Sequence, residues 1–152
     1  MKIQECEAAG MDFDTVVSTV EKYIDSQVTY FVLEDLETLR KNGRLSKVKA
    51  LVASALKIKP VLGSTPEGTI CQLDQARGIN KAMVKLVDYV VKGSGEGAGD
   101  KVLGISYCNC RERAEMVRDA ILERMQVKDV ILLDTGGLSS MYANNGGVIV
   151  VI

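Results

Sequence analysis

The chain has 152 residues, 47% hydrophobic and 26% charged, with a net charge of −1; this length and balance fit one domain with its own core. Near-neutrality argues against bulk electrostatic binding to nucleic acid or a membrane surface, and no apolar run approaches the roughly 20 residues of a membrane span. Histidine is absent, which removes the commonest general base near pH 7 and every histidine-containing metal site.

The four cysteines, Cys6, Cys71, Cys108 and Cys110, show no framework spacing, and the opening MKIQECEAAG lacks the apolar core of a signal peptide. Together these point to free thiols in a reducing cytoplasm. The same opening reads as the middle of a helix, as at the start of a domain cut from a longer chain.

Residues 11–27 read as a helix, because Phe13, Val16, Val17, Val20 and Ile24 recur at spacings of three and four behind a capping Asp12. VTYFVLE (28–34) is β-branched and aromatic and reads as a buried strand. DLETLRKNG (35–43) is a short helix stopped by Asn42-Gly43, after which Ser46 caps a second helix over 47–57. KPVLGS is a short strand starting at a proline, TPEGTI a hairpin turn around Pro66 and Gly68, and TICQLDQAR the partner strand. Residues 78–92 form a helix with Ile79, Met83, Leu86, Val87 and Val90 on one face. GSGEGAGD (93–100) is a flexible surface loop by composition. A βαβ-like run follows, with KVLGISY as strand, RERAEMVRDAILERM as helix and VKDVILLD as strand; TGGLSSMYANNGG then leads into VIVVI, a final buried strand. Strands and helices alternate, yet the central hairpin brings antiparallel pairing. The expected fold class is therefore α/β (α+β), a mixed, partly antiparallel sheet covered by helices in a single domain over 1–152.

Three short motifs invite chemistry. Asp134-Thr135-Gly136, at the end of an apolar run, matches the active-site triplet of aspartic proteases, which need two carboxylates sharing a proton. That fold is nearly all β, whereas at least four segments here have helical periodicity, so a strand end feeding a glycine turn is the plainer reading. The same turn, DTGGLSS, can place amides at a short helix start, where anions bind; no GK[ST] follows to make it a phosphate loop. Cys108-Asn109-Cys110 is half of a metal site that only Cys6 and Cys71 could complete, and Cys110 sits where a helix N-terminus would lower its pKa; a plain free thiol is the default. The glycines of 93–100 follow a helix rather than a strand, the reverse of a dinucleotide fingerprint.

The most telling stretch is RKNGRLSKVKALVASALKIKP, residues 40–60. Arg40, Lys41, Arg44, Lys47, Lys49, Lys57 and Lys59 surround a centre that is almost wholly apolar, with no acidic residue among them. A nucleic-acid surface would interleave aromatics and would carry a basic net charge. On a helix, Val48, Leu51, Val52 and Ala55 share one face while Ala50, Ala53 and Leu56 occupy the other. A helix apolar on both sides must be covered on both sides. A sheet covers one; the other calls for a further domain, a subunit or an apolar ligand, and a nearby arginine suits a ligand with an anionic end.

The stretch TYFVLEDLETLRKNGRLSKVKALVASALKIKPVL resembles the most characteristic part of the DegV family, and the similarity continues in order through EGTICQLDQARGINKAMVKLV and LDTGGLSSMYANNGGVIVVI. The resemblance implies the C-terminal domain of a two-domain, cytoplasmic bacterial protein that binds a long-chain fatty acid and presents it to a fatty-acid kinase subunit. It also implies that the protein is not an enzyme and uses no cofactor. The family's N-terminal domain, with its Ser and Thr carboxylate anchors, has no counterpart in this sequence. Helix 47–57 would line the acyl channel, and the basic residues would surround the carboxylate and a kinase docking surface. The candidate ligand-binding residues are Arg44, Ser46, Val48, Leu51, Val52, Ala55, Arg77 and Tyr142. Arg44 and Arg77 are expected to converge on the head group. Tyr142 stands where many members have a histidine within a His-Thr-Gly-Pro-Gly pattern; a tyrosine is uncharged near neutral pH and offers one hydrogen bond. Two other classes compete, an aspartic-protease-like hydrolase and a structural domain that pairs with a second copy through its apolar face.

Overall fold

The computed structural model describes residues 1–45 and 57–152. Ser46, Val48, Leu51, Val52 and Ala55, with the helix expected over 47–57, fall almost wholly outside the described residues. The described elements follow one another as α1 (Lys2–Ala8), α2 (Phe13–Asp25), β1 (Thr29–Val32), α3 (Glu37–Lys41), β2 (Ile58–Ser64), β3 (Ile70–Arg77), α4 (Ile79–Ser94), β4 (Val102–Tyr107), α5 (Arg111–Leu122), β5 (Asp129–Asp134), α6 (Gly137–Ala143) and β6 (Val148–Val151).

The strands form one six-stranded sheet in the order β3-β2-β1-β6-β4-β5. Only β4 and β5 run parallel, joined by α5 as the sequence predicts; the other four pairings are antiparallel. The mixed sheet expected from the sequence is what forms. β1 lies inside the sheet, with Phe31 opposite both Leu62 of β2 and Ile149 of β6.

Local chemistry explains the element ends. Asp12 caps α2, accepting from the Thr15 amide at 3.1 Å and the Thr15 hydroxyl at 2.7 Å. α3 ends on Asn42-Gly43: the Gly43 amide donates to the Arg40 carbonyl, the Arg44 amide donates to that of Leu39, and Gly43 has φ +68°. This is the two-bond Schellman stop, in which a left-handed glycine satisfies carbonyls the helix leaves open. The 93–100 segment read as a loop is partly helical. α4 runs on to the buried Ser94, whose hydroxyl donates to the Val91 carbonyl, and Ala98–Asp100 make a 3-10 turn.

The sheet is apolar on both sides, and alternation along each strand keeps the two sets apart. Tyr30, Val32, Val61, Leu103, Ile105, Val148 and Val150 pack with α4 and α5, through Ala82, Met83, Leu86, Val87 and Val90 of the first and Ala114, Val117 and Ile121 of the second. Phe31, Leu33, Leu62, Ile70 and Ile149 belong to the opposite side, where Leu39 of α3, Leu45, and Tyr142 and Ala143 of α6 gather. α2 takes little part in either: none of its residues is buried, and Phe13 is 79% exposed.

Gly93 shows how closely α4 meets the sheet. The Tyr30 hydroxyl stands 1.8 Å from where a Cβ on Gly93 would lie. Alanine ordinarily stabilises a helix interior over glycine by about 1 kcal/mol, but a clash of this depth outweighs that gain. Gly93→Ala is expected to lose about 1–3 kcal/mol in urea denaturation. Tyr30→Phe, which removes the obstructing oxygen, should recover part of the loss; a stabilised Gly93→Ala protein would contradict this packing.

Candidate functional site

The second side of the sheet carries the candidate site. A cavity of about 290 Å³ is lined by Thr29, Phe31 and Leu33 of β1, Ile70 of β3, Ile149 of β6, Leu39 of α3, Tyr142 and Ala143 of α6, and Arg44. The apolar lining follows from alternation: residues 29, 31 and 33 share a face, and 149 lies opposite 31. Arg44 reaches the rim because the Schellman stop turns the chain at Gly43 and leaves Arg44 as the first residue past it. The cavity thus combines a greasy wall with one guanidinium, a donor suited to a carboxylate or phosphate. Its size is close to the lower end of the roughly 300–1,000 Å³ typical of small-molecule pockets.

The structure brings Arg44 and Tyr142 to this cavity and leaves Arg77 out of its lining. Arg77 ends β3 opposite Ile58, whereas Ile70 begins β3 opposite Ser64. The register keeps Arg77 on the side of the sheet shared by Ile58 and Leu62. Thr29, Phe31, Leu33, Leu39, Ile70, Ala143 and Ile149 are the lining residues that motif reading did not find. The signal for Phe31 and Leu33 was the β-branched and aromatic run through residues 28–33, which marks a buried strand.

Tyr142 is held by a loop with several anchors. Asn144, with φ +54°, ends α6; its side-chain amide donates to the Asp35 carbonyl at 3.3 Å, and its oxygen accepts from the Thr38 hydroxyl at 3.4 Å. Cys108 exchanges two backbone bonds with the loop, accepting from the Gly146 amide at 2.8 Å and donating to the Gly147 carbonyl at 3.0 Å. The Cys110 thiol points at the Gly147 carbonyl from 3.5 Å, and the Cys108 thiol at that of Ser140 from 4.0 Å. The Cys-Asn-Cys motif therefore serves the loop that carries Tyr142. Cys110 does sit at the start of α5, yet burial pushes its thiol pKa up, with Arg113 offsetting only part of the effect. Desolvation of the thiolate is the largest cause of the rise.

Asp134 closes β5, the parallel edge strand, and accepts from the Tyr107 hydroxyl at 3.3 Å. It lines a polar cavity of about 400 Å³ with Tyr107, Asn109, Cys110, Arg111 and Glu112. The sheet around it is mixed and helix-covered, which is not the nearly all-β architecture in which the protease triplet works. A further groove, about 430 Å³, runs between α4 and α5 over Met83, Val84, Met116 and Val117. Its two arginines are already engaged, Arg124 with Asp88 at 2.6 Å and Arg113 with Glu34 at 3.0 Å. Neither of these spaces holds a residue of the expected binding set, so the cavity beside Arg44 and Tyr142 is the candidate site.

This helix-backed sheet, with an apolar cavity on its other side, has relatives. The chain belongs to the DegV family, whose sequence profile, described as an uncharacterised protein of the DegV family, matches residues 1–152. A DegV domain-containing protein of Streptococcus pneumoniae strain R6 is 31% identical over 148 residues, 97% of this chain and 52% of its own length. Among solved structures, a DegV family protein from Ruminococcus gnavus, described with vaccenic acid, superposes with a TM-score of 0.94 at 56% identity, over 99% of this chain and 53% of that one. The S. pneumoniae fatty acid kinase (Fak) B3 protein, loaded with linoleic acid, superposes with a TM-score of 0.85 at 30% identity, over 99% of this chain and 52% of that one. The chain thus spans about half the length of the relatives it matches.

The raised thiol pKa has a measurable result. At pH 8, less Cys110 is thiolate in the folded protein than in the unfolded one, so iodoacetamide should alkylate Cys110 more slowly in buffer than in urea. Peptide mass mapping reads the two rates, and equal rates would contradict the burial.

Proposed function

We propose that this domain binds a long-chain fatty acid as its share of a DegV-family carrier, and that the carrier offers the acid to a fatty-acid kinase without catalysing a reaction itself. The observation that carries the proposal is the cavity on the second sheet face, lined mainly by apolar residues, with Thr29, Arg44 and Tyr142 as its polar members. Solved relatives of 56% and 30% identity, described with vaccenic and linoleic acid, support the same ligand class.

The energetics favour an acyl chain. Each methylene removed from water contributes about 0.8 kcal/mol, so even part of a chain laid along Phe31, Leu33 and Ile149 outweighs a single polar contact. The head group then sets orientation. Arg44 would meet the carboxylate as a charged donor, and Tyr142 would add one neutral hydrogen bond. Ser46, Val48, Leu51, Val52 and Ala55 would be further ligand contacts, as the family resemblance implies. Arg77, outside the cavity lining, would belong to the basic surface offered to the kinase. A second domain of the carrier would cover the ligand's other side. In this reading the protein works in the bacterial cytoplasm; among the described residues no helix is long and apolar enough to cross a membrane. Pairing of two copies through the apolar face is the competing use of the same surface.

Mass spectrometry of lipid extracted from the purified protein tests the proposal directly. Co-purifying C16–C18 fatty acid is expected, and a protein that carries none and takes up none when offered oleate would sink the reading. The head-group assignments follow from magnitude. A charged hydrogen bond contributes about 1.5–3 kcal/mol and a neutral one about 0.5–1.5. Arg44→Gln should therefore weaken fatty-acid affinity by more than about tenfold, and Tyr142→Phe only several-fold. Unchanged affinity in Tyr142→Phe would make the tyrosine a packing residue alone.

A further inference from the structure

On the side of the sheet away from the cavity, three charged residues converge without belonging to the proposed site. Glu34 follows β1; one of its carboxylate oxygens accepts from Arg113 Nη2 at 3.0 Å and the other pairs with Lys59 Nζ at 3.1 Å. Lys59 also donates to the Glu34 backbone carbonyl. The second terminal nitrogen of Arg113, Nη1, donates to the carbonyl of Gly146. One guanidinium therefore joins the end of β1 to the loop that carries Tyr142. The three side chains are only 21–32% exposed, which sets them apart from the fully solvated pairs that contribute little.

The two loop glycines are shaped around this junction. Gly146 has φ +90°, and a Cβ there would lie 2.7 Å from both Arg113 Nη1 and Glu34 Cγ. A Cβ on Gly147 would lie 2.4 Å from the Ala143 carbonyl oxygen and 2.9 Å from Leu33 Cδ2. Leu33 and Ala143 line the cavity. The loop is thus pressed between the guanidinium on one side and the cavity wall on the other, with no side chain in the gap.

We propose that Arg113 is a positioning residue for the binding cavity, setting where Tyr142 and Ala143 stand relative to Phe31 and Leu33 by bridging Glu34 to the Gly146 carbonyl. Lysine cannot replace it. An ammonium is a point donor on a flexible stem, whereas the planar fork holds two acceptors at a fixed spacing. A substitution that keeps the charge but loses the fork leaves Glu34 paired and releases the loop.

The ligand arm of the test rests on the proposed acyl binding; the spectroscopic arm does not. In protein labelled with ¹³C-tyrosine, Tyr142→Phe identifies the Tyr142 ring signal. Arg113→Lys and Arg113→Met should both shift or broaden that signal and leave those of Tyr23 and Tyr89 in place. An unmoved Tyr142 signal in both variants overturns the proposal. With cis-parinaric acid as fluorescent ligand, Arg113→Lys and Arg113→Met should each bind about tenfold more weakly, and the loss from Arg113→Met should shrink to less than about threefold in a Tyr142→Phe background, because contacts in one network do not add. A full tenfold loss in that background means Arg113 acts on stability alone and also overturns the proposal. If the unsubstituted protein fails to bind the probe, the acyl-binding reading fails while the ring signals still decide the role of Arg113. Should Arg113→Met prove too unstable to measure, Arg113→Lys carries both arms.

Discussion

The strand TYFV and the leucine after it constrain nearly everything else in this domain. Tyr30 and Val32 face one side of the sheet, Phe31 and Leu33 the other, and both sets join hydrophobic clusters. A strand apolar on both faces cannot lie at a solvated surface. α4 and α5 cover the first face with residues buried to the last few per cent. Among the described residues the second face is met by two short helices, α3 and α6, and by the turn after α3, with the cavity beside them.

Much of this was legible because period and chemistry agreed. The Asp12 cap, the Asn42-Gly43 stop, the β2–β3 hairpin and the β4–α5–β5 crossover appear where residue types demand them. Two kinds of information were not local enough to read. Strand order was one: nothing in VIVVI says that it inserts between β1 and β4. The other was which residues line a space formed only after the sheet closes. Phe31 and Ile149 look like any core residues until the register sets them opposite each other. Arg44, one residue past a helix stop, lines the cavity, whereas Arg77, at the end of β3, is not among its lining residues.

The motifs that looked chemical make contacts that hold loops and strand ends. Cys108 and Cys110 direct their thiols at loop carbonyls, and burial makes Cys110 a weaker acid although it starts a helix. Asp134 ends an edge strand beside Tyr107. By contrast, the Glu34–Arg113–Lys59 junction gave no sequence signal, because its members are 79 and 25 residues apart and each is an ordinary surface type taken alone. Composition thus overstated the importance of rare residues and understated that of common ones.

The place of β6 has a bearing on how the molecule assembles. β1, β2 and β3 make one ribbon and β4 with β5 another, and β6 is the strand both share, pairing Thr29 with Val151 and Tyr107 with Val148. Before β6 docks, each ribbon presents an open hydrogen-bonding margin, the kind of edge that recruits foreign strands. Joining them requires contacts between residues far apart in sequence, which slows folding relative to local structure. A polypeptide stopped anywhere short of Val148 would hold two half-sheets with no strand in common, a species prone to cross-pair with its neighbours before the sheet could close.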